Sequence, residues 1–177
     1  MRLNASVAGF PTFLGSSLDL VQAKARASAY YSIDADSRFV LAGRVGFGAM
    51  SGPTLSDIPA NWRFYAGGGG SVRGYAYNSL GPTGPFGAVV GGRSLFEASA
   101  ELRVKLTDTI GVAPFFDAGN AFASSFPNFS QPLFTAAGLG LRYYTSIGPI
   151  RLDVAFPFER HAGSRPVAVY VRIGQAF

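Results

Sequence analysis

Cysteine is absent from the 177 residues, and histidine occurs once, at His161. The first absence excludes a disulfide scaffold, cysteine-ligated zinc and a thiol nucleophile. The second leaves histidine chemistry to one side chain in a short loop beside Arg160, where solvent exposure is the ordinary reading, and no role is assigned to it. Asp, Glu, Lys and Arg make only 14% of the chain, against about 25% in typical soluble domains. Lysine is reduced to Lys24 and Lys105, so the net charge of +5 rests on arginines scattered singly. Without a basic run, nucleic acid is not an expected partner. No stretch approaches the ~20 apolar residues of a transmembrane helix. The start, Met1-Arg2-Leu3-Asn4-Ala5, also lacks a signal-peptide pattern, so a chain acting outside the cytoplasm would be part of something longer. No carboxylate pair stands in a clear acid–base setting, so the chain is not expected to be an enzyme, and no cofactor or metal is expected.

What the chain does have is 48% hydrophobic residues, 23 glycines, 16 phenylalanines and 8 tyrosines. Their order has a period of two, the signature of a strand with two unlike faces. In residues 96–106, Phe96, Ala98, Ala100, Leu102, Val104 and Leu106 alternate with Glu97, Ser99, Glu101, Arg103 and Lys105. The same alternation runs through 20–31, 39–48, 137–144, 150–156 and 167–177, and more weakly through 2–10 and 110–122. About eight strands and no amphipathic helix are therefore expected. Short turns at 34–37, 107–109 and 148–149 alternate with longer excursions at 11–19, 51–93, 123–134 and 159–166. In an antiparallel meander, that puts the short turns on one rim and the long loops on the other, as in outer-membrane barrels. Tyr30-Tyr31, Tyr143-Tyr144, Phe156 and Phe158 fall near strand ends, where a barrel carries interfacial aromatics.

Alternation alone leaves open which face is outside, and a soluble barrel with an apolar pocket would show it too. The charge count favours the membrane. A soluble barrel would need to coat its exterior with glycine, serine, scattered arginine, two lysines and three glutamates. A transmembrane barrel needs no such coat and tolerates a glycine-rich polar lumen.

The 43-residue excursion at 51–93 holds Phe64-Tyr65-Ala66-Gly67-Gly68-Gly69-Gly70-Ser71-Val72-Arg73-Gly74-Tyr75. A phosphate loop is disfavoured, because no Lys-Ser or Lys-Thr follows and no helix is expected to begin there. Val-Arg-Gly-Tyr in a long glycine-rich loop resembles the sixth extracellular loop of the BamA/TamA superfamily of outer-membrane assembly proteins. Ala98-Ser99-Ala100-Glu101-Leu102 and Phe115-Phe116-Asp117-Ala118-Gly119-Asn120 are similar, in order, to the family's twelfth and thirteenth strands. Gly148-Pro149-Ile150-Arg151-Leu152-Asp153 resembles the approach to the fifteenth, and Phe177 ends the chain like the family's terminal recognition signal. The Phe-Tyr-Ala-Gly-Gly approach and the Ile-Gly-Pro-Ile-Arg-Leu-Asp-Val stretch look closer to TamA than to BamA.

The resemblance implies an all-β, antiparallel transmembrane barrel, with 1–177 a single domain matching the C-terminal half of 16 strands and 51–93 inserted into the lumen. It implies residence in the outer membrane of a Gram-negative bacterium. It also implies that Arg73, flanked by Gly74 and Tyr75, pairs with Glu101 and Asp117. Arg151 and Asp153, two apart on one face, fit either a lumenal ion pair or ordinary wall residues, with the second favoured. The implied function is assembly or translocation of client proteins by strand addition at a seam along 167–177, with Tyr170, Arg172, Gly174 and Phe177. The implied partners are outer-membrane lipid, unfolded outer-membrane or secreted clients, and the other barrel half or a second copy, with a periplasm-spanning protein also fitting. A two-partner secretion pore or passive channel of the same superfamily is the alternative, and a soluble β-barrel binding protein a more remote one.

Overall fold

In the computed structural model, residues 1–10, 19–129, 131–146, 148–160 and 165–174 are described. They form β1 (Arg2–Phe10), β2 (Leu20–Ser32), β3 (Phe39–Ser51), β4 (Ser94–Lys105), β5 (Ile110–Phe122), β6 (Phe134–Thr145), β7 (Gly148–Pro157) and β8 (Ala168–Ile173). The described residues contain no α-helix, only a 3-10 turn at Pro85–Gly87.

The eight strands make one sheet in chain order, each antiparallel to the next. β1 and β8 are its two open edges. The turn after β2 is closed by Asp34, whose carboxylate accepts the backbone N–H groups of Arg38 and Phe39 at 3.0 and 2.8 Å. This Asx-type closure is why a short polar turn suffices there. The turn before β7 precedes Gly148, which begins the strand with φ +119°, a conformation that glycine adopts freely.

The burial pattern is inverted relative to a soluble sheet. Glu97, Ser99, Glu101 and Asp117 are buried, while Leu139, Leu141, Val169 and Val171 are exposed. Register enforces this. Arg44 lies opposite Ser99, and Ser99 opposite Asp117, so polar residues of successive strands share one face. The loop between β3 and β4 covers that inner face. Two apolar clusters lie beneath it, one around Leu20, Met50, Ile58 and Phe64, the other around Ala66, Val72, Tyr75, Leu80 and Ala136.

The paired tyrosines need a correction. Tyr31 and Tyr143 are exposed on the outer face, but Tyr30 lies under the Arg103 guanidinium and Tyr144 packs over Gly111 on the inner one. A period of two cannot place both members of an adjacent pair outside. Phe156 and Phe158 do face outward, Phe158 against Phe116.

Candidate functional site

The tetrapeptide Val72-Arg73-Gly74-Tyr75 is held by β4 to β8. Val72 is fully buried and would be 2.9 Å from a Cβ added to Gly119 of β5, so the glycine is what lets the loop lie flat on the wall. Arg73 follows at 3% exposure. Its backbone N–H, Nε and Nη2 all donate to the Asp117 carboxylate, at 3.1, 2.7 and 2.9 Å. Its Nη1 reaches Glu101 at 3.2 Å and lies 3.5 Å from Asp153. The guanidinium also stacks on Phe115, with Cζ 3.4 Å from the ring centroid. The planar fork suits this arrangement, because it meets a carboxylate with two parallel donors while its face stays free for a ring.

Gly74 has φ +101°, and an added Cβ would sit 3.1 Å from Ala136 Cβ and 3.2 Å from the Pro157 nitrogen. Its N–H donates to the Tyr170 hydroxyl at 3.1 Å. The Tyr75 hydroxyl lies 2.9 Å from the Glu159 carboxylate and 3.0 Å from the Thr135 carbonyl. The same carboxylate accepts from the Thr135 N–H and hydroxyl at 2.7 and 2.8 Å. These donors hold the Glu159 carboxyl below its usual range against the opposing effect of burial, while burial first and the adjacent carboxylate second push the Tyr75 phenol up. Upstream, Ser71 bonds the Glu97 carboxylate, and Arg44 of β3 donates to the carbonyls of Gly70 and Ser71 at 2.7 and 2.9 Å.

Beneath Arg73 the ion pairs continue. Glu101 accepts from Arg103 at 2.9 Å and lies 3.2 Å from Arg142. Asp153 accepts from Arg142 and Arg151, each at 2.5 Å. The preference for Arg151 and Asp153 as ordinary wall residues is therefore corrected, since both are buried members of this network. Arg142 was missed as a member. Its parity on the polar face of β6 was the available signal, while the register that sets it opposite Arg151 is visible only in the structure. Phe115 was missed because an apolar residue on an inner face looks like an exception to the alternation, although it shares Asp117's face.

Arg73, Gly74, Tyr75, Glu101 and Asp117 thus come together, and Tyr170 joins them. Arg172 lies beside Gly69, whose added Cβ would be 3.1 Å from its Nη2. Gly174 stands apart at the end of β8, with φ +96° and its N–H donating to the Pro149 carbonyl at 2.8 Å. Phe177 and His161 lie outside the described residues.

Comparison with known proteins agrees with this architecture. Residues 1–177 match the Omp85 superfamily domain. The outer membrane protein assembly factor BamA of Nitratidesulfovibrio vulgaris is 30% identical over 160 residues, covering 85% of this chain and 20% of that protein. BamA of Neisseria meningitidis serogroup B is 26% identical over 196 residues, covering 92% of this chain and 24% of that one. The chain therefore spans about a quarter or less of the curated relatives it matches. The crystal structure of BamA from Haemophilus ducreyi lacking POTRA domains 1–3 has the same fold, with a TM-score of 0.74 at 23% identity over 97% of this chain and 37% of that one. An inside-out sheet of eight strands, a loop arginine on two strand acids and a match along the whole chain converge: this protein belongs to the Omp85 superfamily, as the C-terminal portion of an outer-membrane β-barrel.

Proposed function

We propose that these residues supply the closing strand, the adjoining wall and the lumenal loop of an outer-membrane protein assembly barrel. Residues 1–177 act in it as one barrel portion, with 51–93 inside. The observation that carries this reading is the contrast between the two ends of the anchor. Arg73 is fixed in a buried ionic network, whereas the described β8 has only six residues. A short strand at a seam opens readily and, once open, is a template for another chain, because main-chain hydrogen bonds supply affinity without demanding a client sequence. The clients are unfolded outer-membrane or secreted proteins, the surrounding phase is outer-membrane lipid, and a periplasm-spanning partner fits the TamA-like version of the role. That finer placement rests on Phe64-Tyr65-Ala66-Gly67-Gly68 and on the stretch from 147 to 154. The role needs no catalytic residue.

The test exploits the absence of cysteine. In the full-length protein in liposomes, an engineered disulfide tying β8 to the strand across the seam should stop insertion of an unfolded barrel client, and reductant should restore it. Insertion by the locked protein at the unlocked rate would overturn the reading.

A passive or two-partner secretion pore draws on a different observation. Between the loop and the inner face of β1 to β3 lies a crevice of about 880 Å³, bordered by Lys24, Arg26 and Arg63 as well as Glu97. Steady planar-bilayer conductance with no client insertion would favour that reading.

A further inference from the structure

We propose that Tyr170 is a latch that couples the seam strand to the loop motif, so that β8 is held closed from inside the barrel rather than by its own edge pairing. The latch rests on the strand-addition reading only for its consequence, not for its existence.

Among the described residues β8 is the shortest strand, and six residue pairs join it to β7. Strand pairing is cooperative along a ladder, so a short edge strand is the first part of a sheet to open. Tyr170 sits in the middle of β8 and points inward. Its hydroxyl accepts the Gly74 N–H at 3.1 Å and donates to the Tyr75 carbonyl at 3.0 Å, so donor and acceptor are both satisfied by the backbone that flanks the peptide bond of those two residues. That backbone cannot yield, because Arg73 on one side is locked to Asp117 and the Tyr75 hydroxyl on the other is locked to Glu159. A second contact reinforces the first. A Cβ on Gly69 would come within 2.8 Å of the Tyr170 ring and 3.1 Å of Arg172 Nη2, so the loop backbone rests directly on two inward side chains of β8. The loop therefore holds the strand by hydrogen bonds at 74–75 and by close packing at 69. A merely structural tyrosine would pack in a core. This one is about half-buried and spends both functions of its hydroxyl on the loop.

Tyr170→Phe keeps the ring and removes the hydroxyl. The measurement is amide hydrogen exchange of the full-length protein in lipid nanodiscs. Exchange across β8 and at 74–75 should quicken about tenfold, as expected for loss of hydrogen bonds that limit local opening, while β4 to β6 stay within about twofold. Unchanged exchange in β8, or an equal rise in every strand, would overturn the latch. Gly69→Ala tests the packing contact independently, because its Cβ must displace the Tyr170 ring. It should quicken β8 in the same way, and protection at the wild-type level would remove that contact from the proposal. Client insertion by Tyr170→Phe separates the latch from the function it serves. Faster β8 exchange with a raised insertion rate supports both, whereas faster exchange with an unaltered rate keeps the latch and overturns strand addition at this seam.

Discussion

Arg142 and Arg151 face each other directly across β6 and β7, and the single carboxylate of Asp153 lies between them, 2.5 Å from each. Two like charges in register repel unless something intervenes. Asp153→Asn would leave both guanidinium groups buried without that charge, at a cost of about 3–5 kcal/mol for breaking a buried ionic group. Its expected mark is a lower urea midpoint for unfolding. A midpoint equal to that of the wild type would show that the two arginines are solvated in the membrane.

Arg73→Ala removes the cation that bridges Asp117 and Glu101, leaving Glu101 with Arg103 and Arg142, and the same buried-charge argument applied to Asp117 gives about 3–5 kcal/mol of local destabilisation. The loop should become protease-sensitive in the membrane while the strands stay protected. Arg73→Lys should restore little, because one ammonium cannot reproduce two side-chain N–H donors on Asp117, a third on Glu101 and a face on Phe115. Wild-type protection of the loop in either variant would contradict the anchoring.

Gly74→Ala tests backbone geometry rather than charge. With φ at +101° and an added Cβ at 3.1 Å from Ala136, the alanine is strained in both conformation and space. About 1–3 kcal/mol is expected from such strain, read as local opening at 74–75 by hydrogen exchange.

The clasp between Tyr75 and Glu159 has an acid limit. The folded Glu159 carboxyl titrates below its usual value of 4.5. A depressed carboxyl stabilises the fold above that usual value, and the contribution is lost as pH falls through the lower, folded value. Protection of Thr135 and Tyr75 should therefore weaken on acidification below pH 4.5, and Glu159→Gln should abolish that dependence. A pH profile unchanged by the substitution would assign the acid response elsewhere.

The orientation of the sheet is open to direct test in a chain without native cysteine. Single cysteines at Leu141 and Val169, both exposed on the outer face, should react with a membrane-confined thiol reagent. A cysteine at Ser99, buried beside Arg73 on the inner face, should not. Labelling of Ser99→Cys in place of the other two would reverse the faces.

The strands were legible because period two survives in a single sequence. Arg2 to Phe10 and Ile110 to Phe122 agree at both ends, and elsewhere the differences among the described residues are a few terminal residues. The short turns at 34–37 and 107–109 were legible from polar residues, and the loop arginine from its motif, whereas Gly148 and Pro149, expected as a turn, are the first two residues of β7 and pair with Thr145 and Tyr144. Illegible was everything that depends on which strand lies beside which residue. The assignment of Arg142 to the same carboxylate as Arg151 needs the β6–β7 register, and Glu159 reaches Tyr75 across 84 residues. Parity gives the face, but only register gives the neighbour. Tyr170 could be read as an inward residue of the last strand, yet nothing in its surroundings in sequence announces a hydroxyl bonded to Gly74.

The side-chain anchors of Val72-Arg73-Gly74-Tyr75 have an order along the chain. Ser99, Glu101, Asp117, Thr135, Asp153, Glu159 and Tyr170 all follow the tetrapeptide in sequence, the last by 96 residues. Contacts so distant carry the loop-closure entropy of every segment between, so they form late. The tetrapeptide cannot complete its docking until five later strands have been laid down in sequence. Its settling into place therefore reports that the strands through β8 are in position, and a chain truncated before Tyr170 would leave it waiting.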